Sequence, residues 1–596
     1  MKYSVDKKKF EDLEGNIKLP KYQRRLVWSE REKQSFINSL KRGFPFGSIL
    51  IYQYEDDKKY SLIDGLQRYT TMKDFSENPH KYFDFDEYIK NLLNLIPNLT
   101  PASESHYRGK IVEILKEVTK EINSKSNVDP DLLSDKLNNE IPQLNVNDIS
   151  TYKQLIRIQT TIKDQLMDEL DIRKVEIPCV QFTGNESELA DVFQNLNTGG
   201  KKLTKYQVFA AQWSYYEIEL NDDEYNLKLL NKVIDRYENL TETRDVEIEG
   251  FNRDKMYEEK KINLSELCYA MGSVIVDSLP VFWPKKDKDE DLANEIGYSV
   301  MGIVLSVENN RLHKIIDKKD LLDNSTVIEE LTANIVSIFN DINNYFKKYL
   351  TLPGTEERYE TKVATNFQIL SYFASLWSIK FRLDEEERSF YINEKYKSKY
   401  EKALQNFITY FIRDAVTYRW SGTGDKKLNE IYMEKQNRYL IDIEKVKLES
   451  SILEWLDENL LKPSIRINNI SKMLLTVTYS FNTHDFKFKN YDFEHVYPRK
   501  TISKYYKEQN IPGGNIGNIM FLAGALNKGK RELNLYEYKL EGMEPDKDFL
   551  DLVQYPLEKE MFEAINSLKN GDATKINRSI ESRAKSIITS LMNKLY

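Results

Sequence analysis

Cysteine and histidine are scarce in this chain of 596 residues. There are two cysteines, Cys179 and Cys268, and five histidines, His80, His106, His313, His484 and His495. That scarcity excludes a disulfide scaffold and a cysteine-rich zinc module, and it leaves too few imidazoles for a multi-histidine metal centre. Long apolar runs are missing as well. Stretches such as 300–305 fall far short of the roughly 20 residues a membrane-spanning helix needs. The opening MKYSVDKKKFEDLEG lacks the apolar core of a secretory signal. An excess of either charge is also absent, since 87 Lys and Arg face 95 Asp and Glu for a net charge of −8. Nucleic acid, if bound, must therefore meet a local basic patch and not a basic coat. No internal repeat or long low-complexity tract is visible. What remains is ordinary globular material, 40% hydrophobic and 31% charged, enough to bury packed cores. The length suits about four domains of ~150 residues. The reading is a cytoplasmic protein with no membrane partner.

Residues 31–42 have helical spacing, with Phe36, Ile37 and Leu40 as the apolar stripe. Residues 48–54 and 59–64 read as strands joined by a turn at 55–58, and 174–182 as a later strand. Between them, 91–170 reads as a helical insertion into one α/β domain. From 203 to 456 the texture is helical, with Leu331, Ile335, Ile338, Ile342 and Phe346 on one helix face. Residues 242–261 read as a charged loop, Leu352-Pro353-Gly354 as another, and 384–387 as a solvated helix start. Short strands and glycines follow beyond Phe481, then a last helix over 573–595. The expected class is multidomain α+β.

Three polar clusters sit in the N-terminal part: Pro20-Lys21-Tyr22-Gln23-Arg24 followed by Trp28; Asp64-Gly65-Leu66-Gln67-Arg68 followed by Thr70 and Thr71; and Asn195-Leu196-Asn197-Thr198-Gly199-Gly200. Polar side chains where a strand ends, with glycine permitting close backbone approach, suit a ligand pocket, and an arginine fork suits phosphate. The same residues also allow a plainer arrangement, in which Asp64-Gly65 makes a tight turn and Arg68 pairs with a carboxylate. In their order, with Leu203-Thr204 after the third, the clusters resemble the DGQQR-motif family of GmrSD-type modification-dependent restriction enzymes over about residues 1–215. The resemblance implies a ParB/sulfiredoxin-like fold that binds and hydrolyses a nucleoside triphosphate, GTP or another. Its nucleotide site would be Gln23, Arg24, Asp64, Gly65, Gln67 and Arg68. Leu66 stands where that family has its first glutamine, which makes hydrolysis here less secure than binding.

The segment Asp492-Phe493-Glu494-His495-Val496-Tyr497-Pro498 is the most informative in the chain. Asn515-Ile516-Gly517-Asn518 and Ala525-Leu526-Asn527-Lys528-Gly529-Lys530 follow it. Phosphodiester hydrolysis needs a base to take a proton from water and hard donors for a metal that stabilises the pentavalent phosphate. An acid–histidine pair with two downstream asparagines supplies such a set. Adjacent residues of a strand face opposite ways, so Glu494 and His495 share a site only if the strand ends or twists there, and Pro498 fits an ending. Gly524 to Lys530 lacks the Ser or Thr of a phosphate-binding loop, and Gly513-Gly514 reads as the turn of the hairpin. The three pieces resemble an HNH (ββα-metal) nuclease of the GmrD type, over about 390–590. On that resemblance His495 is the general base, Glu494 and Asn527 are metal ligands for magnesium or manganese, and Asn518 holds the histidine and hairpin in place. His484 lies outside the motif. Residues 485–532 carry nine cations against five anions, a patch suited to backbone phosphates.

The expected layout is therefore a nucleotide-binding domain over 1–215, a helical connector over 216–389, and an HNH domain over 390–596 with its core at 485–540. The expected function is nucleotide-regulated, metal-dependent cleavage of modified phage DNA in anti-phage defence. Two alternatives stay open: an HNH toxin cutting unmodified DNA or RNA, and a nucleotide-switched DNA-binding protein with an inactive nuclease. The sequence leaves a homo-oligomer open.

Overall fold

The computed structural model describes the chain except residues 1, 22–27, 54–58, 98, 100, 125–127, 168–170, 185–188, 190–191, 193–203, 215, 245–246, 285–288, 353–362, 385–388, 423, 483–489, 531 and 539–546. The described strands are β1 (Tyr3–Lys9), β2 (Ile17–Leu19), β3 (Ile49–Tyr52), β4 (Tyr60–Asp64), β5 (Glu176–Phe182), β6 (Glu217–Glu219), β7 (Glu247–Ile248), β8 (Lys261–Asn263), β9 (Phe381–Asp384), β10 (Ser389–Ile392), β11 (Tyr491–His495) and β12 (Ile519–Ala523). Among the described residues no helix is long and apolar enough to cross a membrane. The fold is α+β, and the chain divides into two compact units, Met1–Ser214 with Ile234–Asp254, and Tyr215–Val233 with Lys255–Tyr596.

The first unit is built on a mixed sheet of order β1-β5-β3-β4-β2-β7. The alternation of its strands loads both faces. Ile49, Ile51, Leu62, Ile177 and Cys179 point into one core, which the helices Glu30–Lys41 and Leu66–Glu77 cover with Ile37, Leu40, Tyr69, Met72 and Phe75. Leu50, Ile63 and Phe182 face the other way, against Leu189 and Ala211. The first helix starts where its capping chemistry dictates. Ser29 accepts from the Glu32 amide while the Glu32 carboxylate accepts from the Ser29 amide, a reciprocal cap. The helices Asp86–Leu93, Pro101–Ser124, Leu132–Glu140 and Ile149–Met167 pack round a separate core that includes Ile111, Leu115, Leu133, Leu155 and Ile162. They fall between β4 and β5 in the chain.

Two local readings change. Residues 242–261 are not one loop: β7 adds to β2 in parallel, and the helix Arg253–Glu259 buries Met256. Asp384 does not start a helix but ends β9, which pairs with β10 as Phe390 opposes Leu383, while Trp377 packs on Phe381 and Phe390. The rest of the acidic run, 385–387, lies outside the described residues. Asn518 lies in a short 3-10 turn, Ile516–Asn518, before β12 and not on it.

The second unit is mainly helical. The helices Leu264–Ser278 and Glu290–Val304 meet at glycines on both sides. A Cβ at Gly272 would stand 1.8 Å from the Ala293 carbonyl oxygen, and one at Gly297 1.8 Å from that of Cys268, so only a bare backbone permits the crossing. Nearby, Asp414 takes a bidentate grip from Arg438 at 3.0 and 2.8 Å and a bond from the Trp420 indole at 2.8 Å.

Candidate nucleotide and nuclease sites

In the first unit, Asp64 ends β4 and Gly65 starts the helix Leu66–Glu77. Gly65 has φ +100°, and a Cβ there would stand 2.5 Å from Ile49 Cγ2. Both the left-handed turn and the closeness to β3 demand glycine. The Arg68 guanidinium donates to the Ser48 carbonyl at 2.7 Å and to Asp64 Oδ2 at 3.2 Å. The plainer arrangement of these residues, turn plus ion pair, is thus present. Two features go beyond it. Arg68 Nε is buried without a hydrogen-bond partner, and Gly47 lies flat against the fork, its missing Cβ 3.1 Å from Nη1. Gln67 is buried and accepts from the Trp28 amide at 3.1 Å, which joins the second cluster to the end of the first. Leu66 is buried in the core below the sheet, so the position that departs from the family motif is a packing position. Thr70 is turned back onto its own helix, donating to the Leu66 carbonyl at 2.8 Å. Gln23, Arg24 and 195–200 lie outside the described residues; Thr204 caps the helix Lys205–Gln212.

In the second unit, β11 and β12 form an antiparallel hairpin in which Glu494 opposes Met520 and His495 opposes Ile519. β11 ends at His495, and the helix Arg499–Ser503 starts behind Pro498. The imidazole is buried and its Nε2 lies 3.0 Å from the Ile465 carbonyl oxygen. A carbonyl can only accept, so Nε2 carries a proton and the lone pair of the neutral ring sits on Nδ1. Burial pushes the histidine below its ordinary value of 6.5; Glu494 opposes that shift, while Lys530 and Arg499 add to it. The ring is therefore neutral near pH 7 and able to accept a proton.

Asn518 is fully buried and acts on the hairpin, not on the imidazole. Its backbone carbonyl accepts from the Val496 amide at 2.8 Å, its side-chain oxygen accepts from the Tyr497 amide at 2.9 Å, and its amide donates to the Gly513 carbonyl at 2.8 Å. It is a positioning residue that fixes the chain just after His495. Arg583, on the helix Thr574–Leu595, makes the same turn rigid from behind. Its guanidinium donates to the carbonyls of Ile516, Gly517 and Ile519 at 3.2, 3.0 and 2.7 Å, and to those of Val553 and Gln554. Its partners are backbone oxygens on distant segments, so motif reading missed it.

On the other face of β11, Glu494 Oε1 pairs with Lys530 Nζ at 3.0 Å, and that ammonium also donates to the Leu533 carbonyl at 3.1 Å. Lys530 is 1% exposed. Asn527, on the helix Gly524–Lys530, donates to Asp492 Oδ2 at 3.0 Å. Asp492 and Glu494 are two apart and share a strand face. Asp492, Glu494 and Asn527 thus gather carboxylate and amide oxygens, the donor chemistry of magnesium or manganese. Among the described residues no three His, Cys, Asp or Glu side chains group closely enough to hold an ion. Magnesium keeps several waters and needs only one or two carboxylates; here Glu494 is held by the Lys530 ammonium and Asp492 by the Asn527 amide. Asp492 and Lys530 were not singled out from sequence; the strand period could have found the first. His484 lies outside the described residues.

Fold and sites define a multidomain α+β protein whose N-terminal domain sets polar side chains at the carboxyl end of an interior strand. Residues 6–214 match the family model described as the GmrSD restriction endonuclease, N-terminal domain. Over those residues, about a third of its length, the chain is similar to the GmrSD restriction endonucleases. Comparison with curated proteins gives no match.

Proposed function

We propose that the chain is a nucleotide-regulated, metal-dependent DNA endonuclease of the modification-dependent (type IV) restriction kind, which cuts modified phage DNA in the cytoplasm. In this reading 1–215 is a ParB/sulfiredoxin-like nucleotide-binding domain with a helical insertion. The hairpin of β11 and β12 with the helix Gly524–Lys530 is an HNH centre. The observation that carries the reading is His495: a buried imidazole at a strand end, with one nitrogen occupied by the Ile465 carbonyl and the other left to accept a proton.

The chemistry follows from those placements. His495 Nδ1 takes the proton of the attacking water. Its Nε2–H stays on the Ile465 carbonyl and holds the ring in orientation. Asn518 and Arg583 fix the hairpin that carries the ring. Glu494 and Asn527, with Asp492, would hold a divalent ion, magnesium or manganese. When bound, such an ion supplies charge stabilisation to the pentavalent phosphate and the leaving oxygen. In the other domain, Arg68 with Asp64, Gly65 and Gln67 would hold the phosphates of a nucleoside triphosphate, GTP or another, together with Gln23 and Arg24. The Arg68 Nε, without a hydrogen-bond partner among the described residues, and the bare Gly47 packed against the fork favour a phosphate there. NTPase activity in that domain is part of the proposal, and Leu66 as a core residue takes no part in it.

The test is cleavage of phage DNA with and without base modification, with magnesium or manganese, plus and minus GTP, by wild type and His495→Ala. Modification-selective cutting that His495→Ala lowers by at least ~100-fold is the expected result. Unselective cutting of DNA or RNA would favour a toxin, and binding without cutting a switched DNA-binding protein.

A further inference from the structure

The face of β11 that carries Phe493 and His495 is walled by residues 463–472, a segment upstream of the nuclease motif. This wall is tied to the hairpin turn. The Gly514 amide donates to the Ser464 carbonyl at 3.0 Å, and the Asn468 amide donates to the Gly514 carbonyl at 3.0 Å. A Cβ at Gly514 would stand 1.9 Å from the Arg466 carbonyl oxygen. Asn468 then caps the helix Asn469–Ser480, accepting from the Ile470 amide at 2.8 Å. The result places two cations on the segment whose Ile465 carbonyl holds the base. Arg466 follows Ile465, whose carbonyl holds His495. Lys472, one turn into the helix, sets its ammonium 5.5 Å from the centre of the Phe493 ring, two residues from His495 on the same strand face.

Neither cation has a carboxylate partner among the described residues, whereas Lys530 on the opposite face is paired with Glu494 and Lys500 with Glu532. Lys472 is half-buried, and burial and the charge of Arg466 both push its ammonium below the usual lysine value. Holding like charges together, one of them partly desolvated, costs free energy that an external anion would return. Charge complementarity beside a proton-accepting histidine selects a phosphodiester as that anion.

We propose that Arg466 and Lys472 grip a backbone phosphate of the DNA next to His495, so that 463–472 forms the second wall of the nuclease centre. The inference rests on the nuclease reading and deepens it. The test measures binding of a short synthetic DNA duplex to the full-length His495→Ala protein across a salt series, with Arg466→Ala, Lys472→Met and Lys472→Arg added singly. Arg466→Ala and Lys472→Met are expected each to weaken binding and to flatten the slope of log affinity against log salt by about 0.9, while Lys472→Arg keeps the slope. The methionine retains an apolar stem over Phe493, so a merely packing role would leave the slope unchanged. DNA bound with an unchanged slope in both charge-removing variants overturns the inference and leaves the nuclease reading standing. No DNA binding by wild type or His495→Ala overturns both.

Discussion

Both candidate sites set a carboxylate against a basic side chain, and they do so in opposite ways. Asp64 and Arg68 are one helical step apart, and their side chains remain 38% and 25% exposed. Glu494 and Lys530 come from a strand and a separate helix, and the lysine side chain is 1% exposed. An exposed pair contributes at most about 1 kcal/mol, so Arg68 can exchange Asp64 for an incoming anion at little cost. Breaking a buried pair costs about 3–5 kcal/mol, so Lys530 is part of the fold of its hairpin. The first arrangement suits a ligand that comes and goes. The second suits chemistry that needs a fixed frame.

The largest effect that would break this contrast is on stability. Lys530→Met leaves Glu494 without its cation and the Leu533 carbonyl without its donor, and is expected to destabilise the second unit by about 3 kcal/mol. Arg68→Met is expected to cost the first unit less than about 1 kcal/mol. Calorimetry that resolves the unfolding of the two units measures both, since a chain of two units need not unfold in one step. Equal losses would erase the distinction. Next in size is Gly65→Ala, which forces a Cβ into the left-handed region and against Ile49 Cγ2. A loss of about 1–3 kcal/mol confined to the first unit is expected; a neutral substitution would mean that the turn adapts and the site is softer still.

The parts legible in the sequence are those whose signal is local. The helix Glu30–Lys41 announces itself by its apolar stripe of Phe36, Ile37 and Leu40. β3, β4 and β5 do so as short apolar runs, and the hairpin of β11 and β12 by its dense polar motif. What escaped depends on distant partners. β1 is exposed along most of its length and carries Lys7, Lys8 and Lys9, so it lacks the alternation of a half-buried strand; only its antiparallel register with β5 makes it one. The hairpin of β9 and β10 hid behind an acidic run because Trp377, on another helix, supplies its packing. Lys530 reads as one cation of a basic patch until Glu494 is brought against it. Arg583 reads as a surface arginine of an amphipathic helix until the carbonyls around Asn518 close on it. Sequence motifs thus named candidate groups for chemistry and missed Lys530 and Arg583, which pack around them.

The smallest effect sharpens the contrast most, because it separates two uses of one side chain. If Arg68 serves a phosphate, its worth lies in the planar fork, of which Asp64 and Ser48 engage one nitrogen, Nη2, and Nε is left unpartnered. Arg68→Lys keeps the charge and the possibility of pairing with Asp64 but removes the fork. It is therefore expected to lower nucleotide affinity about tenfold, or ~1.4 kcal/mol, as measured by titration of GTP, while the thermal transition of the first unit stays in place. Arg68→Ala would then weaken binding further by losing the charge as well. A lysine variant that binds nucleotide like wild type would reduce Arg68 to a point charge, and one with unchanged affinity in both variants would return it to a simple ion pair with Asp64. In the second case the pair would not be a ligand site, and the difference between the two sites would be one of burial alone.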